Sequence, residues 1–269
     1  MTNSGTGRDD VPGEWLARRD ADDADDLAPP PRPVPPSAWV LPDPSQADPD
    51  GVVGIGADLA PGTLVDAYRN GIFPWPHSGI ALPWFSPDPR GLLRFEDVHV
   101  SRSLRRTLRR SGWTTTVDHD FDGVVRACGD ARGDDGTWIT PAMARAYRRL
   151  HLLGWAHSLE VWDGDALVGG IYGVQVGGVF TGESMFHRAT DASKVAMVDL
   201  CARLRTAGGR FLDVQLTTEH LASMGARDVP RDRFVAWLRE ARDQDVRLPR
   251  GRRPVARLAS FDARGTHDG

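Results

Sequence analysis

The spacing of apolar positions along the chain switches between a helical period and a strand period. Asp58-Leu59-Ala60-Pro61 reads as a helix entry, and a helix is predicted from about Gly62 to Asn70, stopped by Gly71. A strand near Gly91–Phe95 precedes a helix over Ser101–Arg110 with Ser101 as its cap. Two more helices follow, Phe121–Asp130 and Thr140–Leu153, the latter with Thr140-Pro141 as cap and first residue. The period then becomes two. His157–Trp162, Ala166–Val176 and Val179–Phe186 form an antiparallel meander, with turns at Asp163-Gly164-Asp165 and Gly177-Gly178. The segment Ala192–Ala207 is apolar around most of its circumference, which predicts a buried helix stopped by Gly208-Gly209, with Asp199 and Arg203 paired one turn apart. A strand at Arg210–Leu216 and helices at Thr218–Met224 and Pro230–Arg242 complete the series, and the stretch from Val246 reads as irregular and basic. Helices first, then antiparallel strands, then a buried helix and a further strand make an α+β chain.

Composition changes the picture at the ends. Residues 1–36 combine the run Asp20–Asp26 with prolines between Pro29 and Pro36 and hold few large apolar residues, so a disordered tail is expected there. Residues 37–88 read as a small first domain, 89–245 as a catalytic domain and 246–269 as a basic tail. The formal net charge of −4 resides in the first segment and the body is neutral, so any nucleic-acid surface must come from local clustering. No apolar stretch approaches the roughly 18 residues of a membrane span, and no leader pattern opens the chain. Cys128 and Cys201 are far apart and read as reduced thiols, which points to a cytoplasmic protein without a zinc site or disulfide framework.

Three groups of residues could carry chemistry. Glu183 is an acid in the strand Val179–Phe186. Strict alternation places it with Val179, Thr181 and Met185, and sets Phe180, Ser184 and Phe186 on the other face. A carboxylate beside an apolar pocket needs a partner, either a structural one such as Lys194 or a charged ligand. Asp213 and Gln215 project together from an otherwise apolar strand, and an Asp bonded to a Gln amide would polarise the amide carbonyl toward an attacking amine. Trp75, Trp84 and Trp138 lie in loops, the first two stiffened by prolines, where an aromatic face suits an unpaired base. Finally, Arg102, Arg105, Arg106 and Arg109 share one helical face and can follow a phosphate backbone; Arg247, Arg250, Arg252 and Arg253 form a second cluster.

A negative signal accompanies these. An acetyl-coenzyme A enzyme with this element order needs a glycine-bearing phosphate turn before the buried helix. The junction here, His187-Arg188-Ala189-Thr190-Asp191-Ala192-Ser193-Lys194, has no glycine and sets an acid at the helix start.

The landmarks Tyr68–Trp75, Ser86–Arg90, Gly136-Thr137-Trp138-Ile139-Thr140, His157–Trp162, Leu167–Val174, Gly182–Phe186, Ala192–Lys194, Asp213–Gln215 and His220–Ala226 stand in order over about residues 39–240. Together they resemble the leucyl/phenylalanyl-tRNA–protein transferase family. The resemblance implies a small N-terminal domain on a C-terminal domain like the Gcn5-related N-acetyltransferases, with a mainly antiparallel sheet. It implies transfer of Leu or Phe, less so Met, from aminoacyl-tRNA to proteins beginning with Arg or Lys, marking them for N-end-rule degradation. It implies no cofactor, no metal, no membrane and a monomer. By the same resemblance Met185, Ile171, Met197, Leu200 and Leu204 line the side-chain pocket, Trp75 and Trp138 hold the terminal adenosine, and Tyr68 contributes to substrate binding. Glu183 contacts the amino group or ribose, and Asp213 and Gln215 assist the amine; the arginine stripe Arg102, Arg105, Arg106 and Arg109 is the candidate tRNA contact by its spacing alone. The sequence departs from the family pattern at Ile171, where methionine is expected, at Thr218, where asparagine is common, and in the acidic tail. The rival readings are an acetyl-coenzyme A-dependent acetyltransferase and a non-catalytic module for charged tRNA or degradation signals.

Overall fold

The computed structural model describes residues 26–77, 79–131 and 137–261. The acidic run Asp20–Asp25 and residues 262–269 lie outside the described residues. The chain is α+β, as its pattern predicts. A small sheet takes β1 (Val52–Ile55), β2 (Phe73–Pro74) and β3 (Pro83–Phe85), with α1 (Pro61–Arg69) between β1 and β2. The large sheet is assembled from β4 (Arg90–Arg94), β5 (Thr114–Val117), β6 (Ala156–Asp163), β7 (Ala166–Val176), β8 (Val179–His187), β9 (Phe211–Gln215), β10 (Arg227–Val229) and β11 (Arg253–Pro254). Its order is β10-β4-β9-β8-β7-β6-β5-β11, and among the described residues only β8 and β9 run parallel.

Two helices begin at their expected caps: in α2 (Arg102–Arg110) Ser101 accepts from the Leu104 amide, and in α4 (Pro141–Leu152) Thr140 accepts from Met143. In α3 (Phe121–Asp130), for which the sequence reading names no cap, Asp120 accepts from Gly123. The helix α5 (Ala192–Thr206) is buried almost along its whole length, as its all-round apolar pattern requires. It packs on one face of the large sheet with Ile171, Phe180 and Leu212. α1, α3 and α4 pack on the other face with Tyr172, Val174 and Phe186. The short α6 (Glu219–Ser223) follows β9, and α7 (Arg231–Ala241) packs Phe234, Val235 and Leu238 with Leu92, Val179 and Phe211.

One local feature departs from strict alternation. Tyr172 pairs with Ser184 but Gly173 pairs with Gly182, so Glu183 is the extra residue of a β-bulge. A Cβ at Gly173 would sit 2.1 Å from the Thr181 carbonyl, so this close approach requires glycine. The inserted residue reverses the sides beyond it. Phe180 joins the α5 cluster and Phe186 the opposite one, correcting the expectation that they share a face.

Three further expectations change. Residues 111–120 carry no element in the sequence pattern, yet Thr114–Val117 is a strand paired with β6, with Thr115 and Thr116 buried. Residues 26–36 lie along the body: Ala28 is buried, its amide bonds the Leu248 carbonyl, and the Arg32 amide bonds that of Leu153. Residues 246–261 are built into the fold, with Leu248, Val255 and Leu258 buried and Arg105 donating to the Ala259 carbonyl at 2.7 Å.

That C-terminal segment is fastened by a buried ionic network. The expected Asp199–Arg203 pair forms, at 3.1 Å, with both side chains fully buried. Arg257 and Thr115 also reach Asp199, while Arg203 donates to the carbonyls of Pro249 (2.6 Å) and Gly251 (3.0 Å). Burial pushes the Asp199 carboxyl up, but Arg203 and Arg257 outweigh that and hold it below its ordinary range. Removing one partner leaves the other charges buried and uncompensated. Asp199→Ala is therefore expected to lower unfolding stability by about 3–5 kcal/mol, measured by denaturant titration; a midpoint equal to that of the parent protein would show that the network contributes nothing.

Candidate functional site

The bulge in β8 and the end of β9 open a cavity between two strands that start as neighbours. Thr181 and Asp213 are the last parallel-paired residues. Beyond them β8 bulges at Glu183, and β9 turns away at Gln215, which has φ +61 in the left-handed region. The cavity between them has a volume of about 390 Å³.

Its walls are largely apolar. Ile171 and Met185 are paired across β7 and β8, Met197 comes from α5, and Leu212 and Val214 come from β9. Trp75 and Trp138 line it from the loops, both half-buried. Trp75 is braced by the Phe85 ring at a centroid distance of 5.5 Å. Thr218 caps α6 by accepting from the Leu221 amide, and both residues reach the cavity. The polar end is formed by Glu183, Ser184 and Gln215.

Glu183 is 8% exposed and held by hydroxyls. Tyr68 donates to Oε1 at 2.8 Å and Tyr147 to Oε2 at 2.6 Å, while the two phenol oxygens lie 2.9 Å apart. The Gln215 side-chain amide donates to Oε1 at 3.2 Å. Burial pushes the Glu183 carboxyl up to about 7, against the opposing effect of the two tyrosine hydroxyls. Burial and the adjoining Glu183 charge push both tyrosines well above their ordinary range, so they act as hydrogen-bond donors. Lys194, the alternative partner for Glu183, bonds Asp191 instead at 2.9 Å.

Asp213 lies behind this wall, 1% exposed. Its carboxylate takes a two-pronged bond from Arg90, Nε to Oδ1 at 2.8 Å and Nη2 to Oδ2 at 2.7 Å. It also accepts from Thr181 and from the Gln215 backbone amide. Asp213 thus holds the main chain of Gln215, while the side-chain amide of Gln215 goes to Glu183; the expected Asp213-to-Gln215 side-chain bond gives way to Arg90.

The structure brings together Glu183, Gln215, Ile171, Met185, Met197, Trp75 and Trp138 at one cavity, with Tyr68 and Asp213 immediately behind it. It does not bring Leu200 and Leu204 to the wall: both are buried against the α5 core, because a helix packed all round can show only one edge to the cavity. Trp84 is also core, 1% exposed, with its indole N–H bonded to the Gly56 carbonyl. Arg102, Arg106 and Arg109 are exposed on α2, whereas Arg105 is turned to the C-terminal segment. Sequence reasoning missed Tyr147 and Arg90. Tyr147 occupies a helical-period position between Met143 and Leu150, where its hydroxyl must find a buried partner, and Arg90 opens an apolar strand.

Two family sequence profiles match the chain. Residues 92–239 match the one described as leucyl/phenylalanyl-tRNA protein transferase, and residues 57–88 match its N-terminal domain. The leucyl/phenylalanyl-tRNA–protein transferase of Chromohalobacter salexigens is 53% identical over 203 residues, 75% of this chain and 78% of that protein. The one from Anaeromyxobacter dehalogenans (strain 2CP-C) is 52% identical over 206 residues, 76% and 88% of the two chains. Among solved structures, a GCN5-related N-acetyltransferase from Kribbella flavida superposes with a TM-score of 0.36 and 13% identity, covering 62% of this chain and 60% of its own. Among the described residues no helix is long and apolar enough to cross a membrane.

The elevated Glu183 carboxyl makes stability depend on pH. Its folded value of about 7 exceeds the ordinary 4.5, so the folded state binds the extra proton between those values. The stabilisation from this group is complete below about 4.5 and is lost as pH rises through about 7. Glu183→Gln, which keeps a neutral side chain at all pH, is therefore expected to gain stability relative to the parent protein as pH goes from 5 to 8. Denaturant midpoints of the two proteins across that range check this; a constant difference between them contradicts it.

Proposed function

This chain belongs to the leucyl/phenylalanyl-tRNA protein transferase family, and from that premise we propose that it moves leucine or phenylalanine, and methionine less readily, from aminoacyl-tRNA onto the amino terminus of proteins beginning with Arg or Lys, marking them for N-end-rule degradation. The observation that carries this reading is the apolar cavity ending on Glu183 and Gln215. An esterified aliphatic or aromatic side chain enters among Ile171, Met185 and Met197, which leaves its ester at the polar end. Burial there selects at about 0.8 kcal/mol per CH₂, enough to separate Leu from Ala but little to separate Leu from Met. Trp75 and Trp138 offer the aromatic faces for the terminal adenosine. Exposed Arg102, Arg106 and Arg109 follow the tRNA backbone, and Arg105 contributes mainly by anchoring the C-terminal segment.

The chemistry is direct aminolysis. The incoming α-amine attacks the ester carbonyl, a C–N bond forms, the C–O bond to the ribose breaks, and the ribose oxygen leaves with a proton. A free α-amino group has a pKa of about 7.7–8, so a sizeable fraction is neutral near pH 7 and no strong base is needed. Glu183, titrating near the working pH, is suited to take the ammonium proton. Gln215, its N–H₂ committed to Glu183, offers its carbonyl to the attacking N–H. The transfer needs no covalent enzyme intermediate and no cofactor. The chain acts as a monomer in the cytoplasm.

Incubation of the purified protein with radiolabelled Leu-, Phe- or Met-tRNA and a peptide beginning with Arg, with uncharged tRNA as control, tests the proposal. Labelled peptide is expected with Leu and Phe, and its absence with all three rejects the activity. The dependence of kcat/KM on pH tests the role of Glu183. Two ionisations are expected, one near 7 from Glu183 and one near 8 from the acceptor amine, both raising the rate as pH rises. In Glu183→Gln only the upper one remains, with a rate about 10²–10⁴-fold lower; an unchanged profile in that variant would remove Glu183 from the mechanism.

A further inference from the structure

Asp213 does not reach the cavity, yet the polar wall is built on it. Its Oδ1 accepts from both Arg90 Nε (2.8 Å) and the backbone amide of Gln215 (3.0 Å), so one oxygen joins the guanidinium to the main chain of the residue at the cavity. That main chain has φ +61, a conformation that a residue with a side chain rarely adopts and that needs external support. Gly91, next to Arg90, makes the turn possible: a Cβ there would meet the Thr217 backbone nitrogen at 2.8 Å.

Arg90 is itself fixed from every side. It is 1% exposed, and its guanidinium carbon lies 4.9 Å from the Phe73 ring centre and 4.4 Å from that of Phe234. Nη1 donates to the Gly71 carbonyl at 3.1 Å. All its directions are thus set by β2, α7 and the loop after α1, and the fork it presents to Asp213 is rigid. A lysine, with a single point charge on a flexible stem, could not make the same two-pronged contact.

We infer that Arg90 is a positioning residue for aminoacyl transfer: it fixes the Asp213 carboxylate, which holds Gln215 in its left-handed turn with the amide on Glu183 and facing the cavity. The inference rests on the transfer activity proposed above. Arg90 touches no substrate, and its effect passes through two other residues. Ile171, Met185 and Met197 stand on β7, β8 and α5, which none of the bonds of Arg90 reach, and Phe73, the pocket residue that Arg90 does touch, is held by the pairing of β2 with β3. Loss of Arg90 therefore acts on kcat and little on the KM for aminoacyl-tRNA.

The test compares Arg90→Lys, Arg90→Gln, Arg90→Ala and Thr181→Val, each checked for folding by thermal melting. Thr181→Val removes a milder support, the 3.1 Å bond to Asp213 Oδ2, in a nearly isosteric way. The Arg90 variants are expected to lose kcat by about 10²-fold, the scale of a misplacement near 1 Å, with KM changed by less than about threefold. Thr181→Val is expected to lose kcat by about threefold to tenfold. Added guanidinium ion should restore part of the kcat of Arg90→Ala and leave that of Thr181→Val unchanged. Arg90→Gln combined with Asp213→Asn should lose no more kcat than Asp213→Asn alone, as residues acting in one chain do. A purely structural arginine would lower the melting temperature and leave kcat intact in the folded protein. If the parent protein transfers and the folded Arg90 variants keep kcat within about twofold, the inference is wrong. Should those variants fail to fold, an unchanged kcat in Thr181→Val has the same consequence. If the parent protein itself does not transfer, the functional reading fails instead.

Discussion

Two carboxylates, Asp213 and Glu183, are buried beside the one parallel strand pair described, and a buried carboxylate must be satisfied or it neutralises itself. The fold satisfies them by opposite means. Asp213 meets a full cation, Arg90, in a two-pronged bond with no water access. Glu183 meets only neutral donors, two phenols and an amide, and burial leaves it near the midpoint of its titration at neutral pH. The first arrangement is rigid and suits a structural anchor. The second leaves a group that can gain or lose a proton without a gross change in its partners.

The sheet places these two groups where they can cooperate. Parallel pairing holds β8 and β9 together as far as Thr181 and Asp213. An extra residue in β8 and a left-handed residue in β9 then separate the strands at the same level. Two glycines admit these irregularities, Gly173 against the bulge and Gly91 against the turn. The opening exposes the sides of Ile171, Met185 and Met197, which would otherwise be ordinary core. Pocket and polar wall are consequences of one divergence, and a change that restored regular pairing would remove both.

Much of this was legible in the sequence. Helical caps, the buried helix α5 and the hairpins of β6, β7 and β8 follow from local periodicity and turn chemistry, and the structure places them within a residue or two. The polar positions Glu183, Asp213 and Gln215 stood out because each interrupts an apolar strand. What periodicity could not supply were non-local facts. The bulge changes the face assignment of Phe186, yet nothing in the local pattern distinguishes a bulged strand from a regular one. Arg90 lies 123 residues from Asp213 and Tyr68 lies 115 from Glu183, so those partners come from topology alone. Leu200 and Leu204 illustrate the converse: they share the apolar character of Met197, but only one edge of a fully packed helix reaches the cavity. The segment after Val246 looked irregular because its burial depends on short apolar contacts and on Asp199, not on a repeating pattern.

An aminoacyl ester is already activated, and this decides what a protein of this kind has to provide. It does not need to generate a strong nucleophile, because the acceptor amine is one once it has lost a proton. It needs to hold the ester and the amine in line and to give the proton somewhere to go. The site's construction matches those needs. In the proposed transfer the aromatic and aliphatic walls would hold the ester by burial. Burial brings the Glu183 carboxyl close to the pKa of an α-amine, so in the proposed transfer a proton passing between them is nearly balanced in energy. On the inference drawn above, Arg90 and Asp213 serve the geometry and not the proton, and a buried ion pair suits the place behind the wall as a titrating acid suits the place in it.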